Sequence, residues 1–163
     1  MCKYLSLLVR VSSINKEIMN IEIVDYGICQ AIGNTTKDSV PDSSTGYFLH
    51  SDDMAFIERT DVIYPKAGLS FGISYRFEAD SEVADLIEFE CRIKHPKMIN
   101  PTSNETFTEI TEAKDEWSDE LGYDFYTLEF DWEIQLGEWL FEIIYEGKVL
   151  ASQSFYLKEL RES

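Results

Sequence analysis

Between Ile21 and Leu157, apolar and polar residues alternate with a period of two, in runs broken by clusters of Gly, Pro, Asn, Asp and Ser. Successive side chains on a strand point to opposite faces, so this pattern predicts half-buried antiparallel strands. The first run is Ile21 to Ile32. The polar stretch "GNTTKDSVPDSSTG", Gly33 to Gly46, reads as a long loop, and a second strand is expected from Met54 to Tyr64. In "YPKAG", Pro65 fixes its own backbone and Gly68 is free to take positive φ, so a turn follows. The strand "LSFGISYRFEA" then puts Leu69, Phe71, Ile73, Tyr75 and Phe77 on one face. "LIEFECRIKHP" sends Ile87, Phe89, Cys91 and Ile93 inward, with Glu88, Glu90, Arg92 and Lys94 outward and Pro96 ending the run.

Residues 101 to 122 break the rhythm. Ile110, Ala113, Trp117 and Leu121 are spaced three, four and four apart ahead of Gly122, so a short helix competes there with another strand. Alternation resumes in "YDFYTLEFDW", with Tyr126, Leu128, Phe130 and Trp132 on one face. The last stretch, "GEWLFEIIYEGKVLASQSFYL", reads as a hairpin. A two-residue turn at Glu146-Gly147 would set Phe141 against Ser152, facing an apolar side chain with a hydroxyl. A three-residue loop with Gly147 left-handed in a bulge restores parity, pairing Ile143 with Val149, Phe141 with Ala151 and Trp139 with Gln153.

Many short strands with at most one short helix make the expected fold class all-β: an antiparallel β-sandwich of about seven to nine strands. At 163 residues, one domain over 19–163 is the natural reading, with residues 1–18 an N-terminal extension or extra strand and Met19 an alternative start. The "YGI" of Tyr26 to Ile28, "YPKAGLSFGISYRF" of Tyr64 to Phe77, "HP" at His95-Pro96 and "GEWLFEIIYEGKVLASQSF" of Gly137 to Phe155 together resemble a bacterial family known as domain of unknown function 3859. The resemblance spans residues 21–158 and implies an immunoglobulin-like sandwich. It carries over no catalytic residue, since its landmarks are turn and core positions.

Charge narrows the function classes. With 31 acidic against 14 basic residues, the net charge is -17. A polyanion is bound by Lys and Arg that displace counterions, so nucleic acid is not an expected partner, nor is an anionic membrane surface. Cys2, Cys29 and Cys91 form no CxxC pair, which suits reduced thiols and a cytoplasmic location; a Cys29 to Cys91 bridge between sheets is the alternative. No leader-type cleavage pattern follows the N-terminal apolar residues.

Catalytic sets are hard to assemble from these residues. His50 and His95 are the only bases of their kind, and Cys91 stands about 13 Å from His95 at strand rise. No HxH, HExxH, glycine-rich phosphate loop or nucleophile elbow occurs, so no enzyme, metal or cofactor is expected. Binding is the remaining class. The leading expectation is a non-enzymatic protein-interaction module with an unknown protein partner, working as a monomer or as a homodimer through an edge strand. The alternative is a carbohydrate or calcium binder built on loops around 38–53 and 110–122, using Asp38, Asp42, Asp52, Asp53 and an exposed Trp117. Trp139, at a strand position, is expected in the core, and Gly147, Pro65 and Gly68 are expected to be structural.

Overall fold

The computed structural model describes residues 20–78 and 85–160; residues 1–18, read above as an extension, lie outside the described residues. Among the described residues there are nine strands: β1 (Asn20–Ser39), β2 (Tyr47–Glu58), β3 (Val62–Ile63), β4 (Ser70–Glu78), β5 (Leu86–Ile99), β6 (Thr106–Trp117), β7 (Gly122–Thr127), β8 (Gly137–Tyr145) and β9 (Lys148–Leu157). They form a four-stranded sheet, β2-β1-β4-β7, and a five-stranded sheet, β3-β9-β8-β5-β6. Every pairing is antiparallel except that of β3 with β9. The expected β-sandwich is therefore the observed architecture.

The core is the alternation of β4 and β5 made three-dimensional. Phe71, Ile73, Tyr75 and Phe77 of β4 are almost fully buried, and so are Ile87, Phe89, Cys91 and Ile93 of β5. Phe71 crosses between the sheets to Trp139, Phe141 and Phe155, with ring centroids 5.5, 5.7 and 5.3 Å away. Tyr75 and Phe77 meet Phe89 at 5.6 and 4.8 Å. Such tilted and edge-to-face pairs suit the ring quadrupoles, and each buried aromatic adds about 1.5–3 kcal/mol of transfer free energy. Trp139 is in the core as expected, its indole N–H donating to the Gln135 carbonyl at 2.9 Å. Gly68 takes φ 91° as i+2 of a turn closed by Leu69 N–H to the Lys66 carbonyl, and Pro65 lies in the segment leading into it.

Three local expectations are corrected and one open alternative is resolved. The first half of the Gly33 to Gly46 stretch is strand: β1 runs on to Ser39 and β2 begins at Tyr47, so the turn is confined to residues 40–46. Polar residues suffice because backbone ladder bonds, not burial, hold a two-stranded ribbon. Pro96 does not end β5; the ladder to β6 is interrupted between Lys94 and Met98 and then resumes, the kind of irregularity that tolerates a proline. Of the two alternatives open for residues 101–122 the strand is the one formed, β6, paired along β5 from Leu86↔Trp117 to Ile99↔Thr106. The run predicted through Trp132 stops at Thr127 and passes into a 3₁₀ turn, Asp131–Glu133.

That turn is organised by Glu133. Its carboxylate accepts the backbone N–H groups of Glu129 and Phe130 at 3.1 and 3.0 Å and the Tyr126 hydroxyl. Phe130 and Trp132, freed from strand geometry, stack in parallel at 5.7 Å.

The terminal hairpin has the predicted face but another register. Tyr145 pairs with Lys148, so Glu146-Gly147 is a two-residue turn, with φ 49° and 79° as a type I′ turn requires. Parity is repaired further along: Ile144 pairs with Val149 but Ile143 with Ala151, leaving Leu150 as a bulge. Phe141 thus meets Gln153 and Trp139 meets Phe155, two residues beyond the predicted partners. Because both turn residues sit left-handed and nothing crowds Gly147, Gly147→Ala should lower unfolding free energy by about 1 kcal/mol through positive φ alone. Glu146→Asn should raise it by a few tenths to about 1 kcal/mol. Urea unfolding of both variants checks the pair, and a neutral Gly147→Ala would refute the turn type.

Candidate functional site

A sandwich has two open sides where the edges of its sheets face each other. On one side here, β6 of the five-stranded sheet faces β7 of the four-stranded sheet. Alternation sends Ile110, Glu112, Lys114 and Glu116 of β6 toward that gap, and Asp124 of β7 meets them. Lys114 Nζ lies 3.3 Å from Asp124 Oδ1 and donates to the Tyr123 carbonyl at 2.9 Å, so one side chain ties both sheets together. Burial opposes its charge, but the Asp124 carboxylate, with Glu112 adding, outweighs it and lifts the Lys114 pKa. Asp124 is 4% exposed and its second oxygen, Oδ2, has no hydrogen-bond partner.

The β1–β2 ribbon folds across to the same gap. His50 bridges Asp38 on β1 and Glu112 on β6. Tyr123 Oη donates to Asp53 at 3.0 Å, Tyr47 Oη to Glu129 at 2.8 Å, and Asn100 Nδ2 to the Ser44 carbonyl at 2.8 Å. A cavity of about 60 Å³ remains beneath the ribbon, with Asp124, Lys114, Cys91 and Tyr126 in its wall. Outside it, a broad trough of about 1010 Å³ runs along β6, with Glu88, Glu90, Asp115, Glu116, Glu120 and Glu146 in its lining.

The four predicted aspartates are not brought together. Asp38 is paired with Phe48 on the ribbon, and Asp53 opposite Ile32 is five residues further along, about 16 Å at strand rise. Asp42 sits in the exposed turn, and Asp52 lines the trough. No group of three or more ligating side chains suited to a metal occurs among the described residues. The segments taken above as ligand-binding loops, 38–53 and 110–122, are largely strand. Trp117 is 47% exposed on the outer face of β6, opposite Leu86, itself 49% exposed, with Leu121 close in sequence at 44%.

Cys29 and Cys91 are both buried free thiols. Cys91 faces the core near the Tyr75 hydroxyl, whereas Cys29 pairs with Ser70 on the other face of its sheet. Burial pushes the Cys29 thiol up to about 12 and, with Asp124 adding, raises that of Cys91 as well, so both hold their protons. His95 is buried against Trp139 at 5.0 Å, its Nδ1 2.7 Å from the Pro96 carbonyl, and burial lowers its pKa. Lys114, Asp124 and Glu133 escaped the sequence reading. The available signal was a lone lysine at an inward position of an acidic strand and an acid at an inward position of the next.

A family model described as Domain of unknown function (DUF3859) matches residues 17–157. The fold is similar to that of an immunoglobulin-like protein from Pseudomonas aeruginosa, with TM-score 0.61 and 18% identity, over 86% of this chain and 96% of that one. A weaker match is the Pseudomonas fluorescens alkylpurine DNA glycosylase AlkC bound to DNA containing an abasic site analog: TM-score 0.38, 14% identity, 60% of this chain and 28% of that one. No curated protein matches.

Breaking the bridge between β6 and β7 on one side only leaves a buried charge unpaired. Lys114→Met should therefore cost about 3–5 kcal/mol, while Lys114→Met with Asp124→Leu should recover most of that loss. Chemical denaturation of the two singles and the double gives the coupling; additive losses would show that the bridge does not join the sheets.

Proposed function

Because this chain belongs to the family Domain of unknown function (DUF3859) and has an immunoglobulin-like sandwich fold, we propose that it acts as a non-enzymatic protein-interaction module that receives an extended segment of its partner along β6. The observation carrying this reading is the edge itself. β6 closes the five-stranded sheet, and no strand lies beyond it among the described residues. It pairs with β5 without a break over nine consecutive positions, from Leu86↔Trp117 to Lys94↔Glu109, so its outer side is a regular row of donors and acceptors.

The phase of that row follows from one bond. Ser118 N–H donates to the Asp85 carbonyl at 2.8 Å, one position beyond the Leu86↔Trp117 pair. Hydrogen-bonded pairs alternate along an antiparallel ladder, so Glu109, Thr111, Ala113, Asp115 and Trp117 turn their backbone groups away from β5. Trp117 N–H accordingly meets the Glu116 carboxylate rather than a ladder partner. Of the other edges, β2 is interrupted by two register shifts, β7 has its Tyr123 carbonyl capped by Lys114, and β9 is covered by the two-residue β3 only at Tyr156 and Leu157.

A second copy of this chain is a poor occupant of the edge. β6 carries four carboxylates against one lysine, so two such strands side by side would set like charges together. The exposed Leu86–Trp117 pair at the end of the edge suits an apolar anchor of a different partner.

Ala113→Pro removes one outward N–H without touching the β5 ladder, a position where strands tolerate proline. Affinity capture from native cells should recover a stable partner with the unaltered chain and lose it with Ala113→Pro, at unchanged circular dichroism. A partner held equally by both, or by neither, would sink strand addition at β6.

A further inference from the structure

We infer that the segment received at β6 is cationic, with Lys or Arg at alternate positions; this rests on the strand-addition reading and adds to it the chemistry of the partner. An added strand would lie about 4.8 Å from β6 and send its side chains alternately to the two faces of the sheet. Both faces are acidic at this edge. On the outer face Asp115 stands beside Glu88 across the β5–β6 pair, with Glu90 further along and Glu109 opposite Lys94. On the inner face Glu112 and Glu116 flank Lys114, and Glu120 lies in the same trough.

Two of the edge acids are met locally, Glu112 by His50 and Lys114 and Glu109 by Lys94 opposite it; Glu88, Glu90, Asp115, Glu116 and Glu120 make up the remaining charge. Lys114, the one cation of β6, is held by Asp124 and the Tyr123 carbonyl. Arg92 and Lys94, the cations of the outer face on β5, both turn to the buried Glu142 of β8, at 2.9 and 3.5 Å. Glu116 sits half-buried at this edge between Asp115 and Glu120. Burial raises its pKa despite the bond from Trp117 N–H, and Glu120 and Asp115 raise it further. A cation arriving beside Glu116 relieves that repulsion, whereas a neutral strand buries it more deeply. Ladder bonds supply attachment irrespective of sequence; charge then selects among strands.

The test uses the full chain and three acetylated ten-residue peptides of alternating Lys-Val, Gln-Val and Glu-Val, followed by amide NMR shifts. Lys-Val should bind at least about tenfold more tightly than Gln-Val, shift the Thr111, Ala113 and Asp115 amides, and weaken by about tenfold or more between 0.05 and 0.5 M NaCl. Glu-Val should not bind. Glu116→Gln with Glu120→Gln, amides that keep the size and the acceptor oxygen, should reduce the Lys-Val preference severalfold. Equal affinity for Lys-Val and Gln-Val, lost in both cases with Ala113→Pro or with Thr111→Pro, would overturn the cationic partner and leave strand addition standing. Lys-Val binding unaffected by either proline would be diffuse surface attraction, and would overturn both. Absence of binding by all three peptides would overturn the cationic inference.

Discussion

The structure hangs on the insertion of one strand's apolar face into the opposite sheet. β4 lies between β1 and β7, and its Phe71, Ile73, Tyr75 and Phe77 supply much of the four-stranded sheet's share of the core. Phe71 alone touches three rings from β8 and β9. At interior packing density such a ring fixes the separation and relative slide of the two sheets, because removing or moving it opens a cavity its neighbours cannot fill. The register of the β8–β9 hairpin matters for the same reason: Trp139 and Phe155 must be opposite each other to receive Phe71, and the Leu150 bulge puts them there.

A core of this kind does nothing for the sides of the sandwich, where polar side chains close the gap between β6 and β7. Here Lys114 is better than a hydrophobe in one respect: its ammonium satisfies a backbone carbonyl of β7 and a buried carboxylate at once. A buried pair of this sort is weak evidence for net stability, but its geometry is specific. The ribbon of β1 and β2 adds a second clasp through His50, Asp53 and Tyr47, so a segment with hardly any apolar residues at its tip is still held down.

How much of this could be read from the sequence divides by mechanism. Where one face is buried, alternation sufficed: the inward sets of β4 and β5 are as predicted, because hydrophobic burial writes a period of two. It failed where backbone bonding or a single polar contact decides. The polar ribbon looked like a loop because nothing in "GNTTKDS" is buried, although it hydrogen-bonds as a strand. In β6, the spacing of Ile110, Ala113 and Trp117 mimicked a helix; paired to β5, Ile110 faces inward while Ala113 and Trp117 face outward. Tertiary pairing overrode a local pattern that carries little energy by itself. Glu133, which draws three donors around it to bend the chain out of β7, has no sequence signature that separates it from the other glutamates. Parity demanded a bulge in the last hairpin, and only the coordinates could say which residue supplies it.

The acid excess acquires a location once the cations are traced. Arg59 lies near Asp25, Arg76 meets Glu22, and Arg92 and Lys94 share Glu142. Lys114 is committed to Asp124. Each of these cations is answered within its own neighbourhood, while the trough along β6 gathers Glu88, Glu90, Asp115, Glu116, Glu120 and Glu146 around a single lysine, Lys114, that is already committed. Solubility would be served equally well by acids anywhere on the surface. Their concentration beside a long, regular edge opposes pairing with a second copy of the same strand and, under the proposed strand addition, favours a strand of opposite charge.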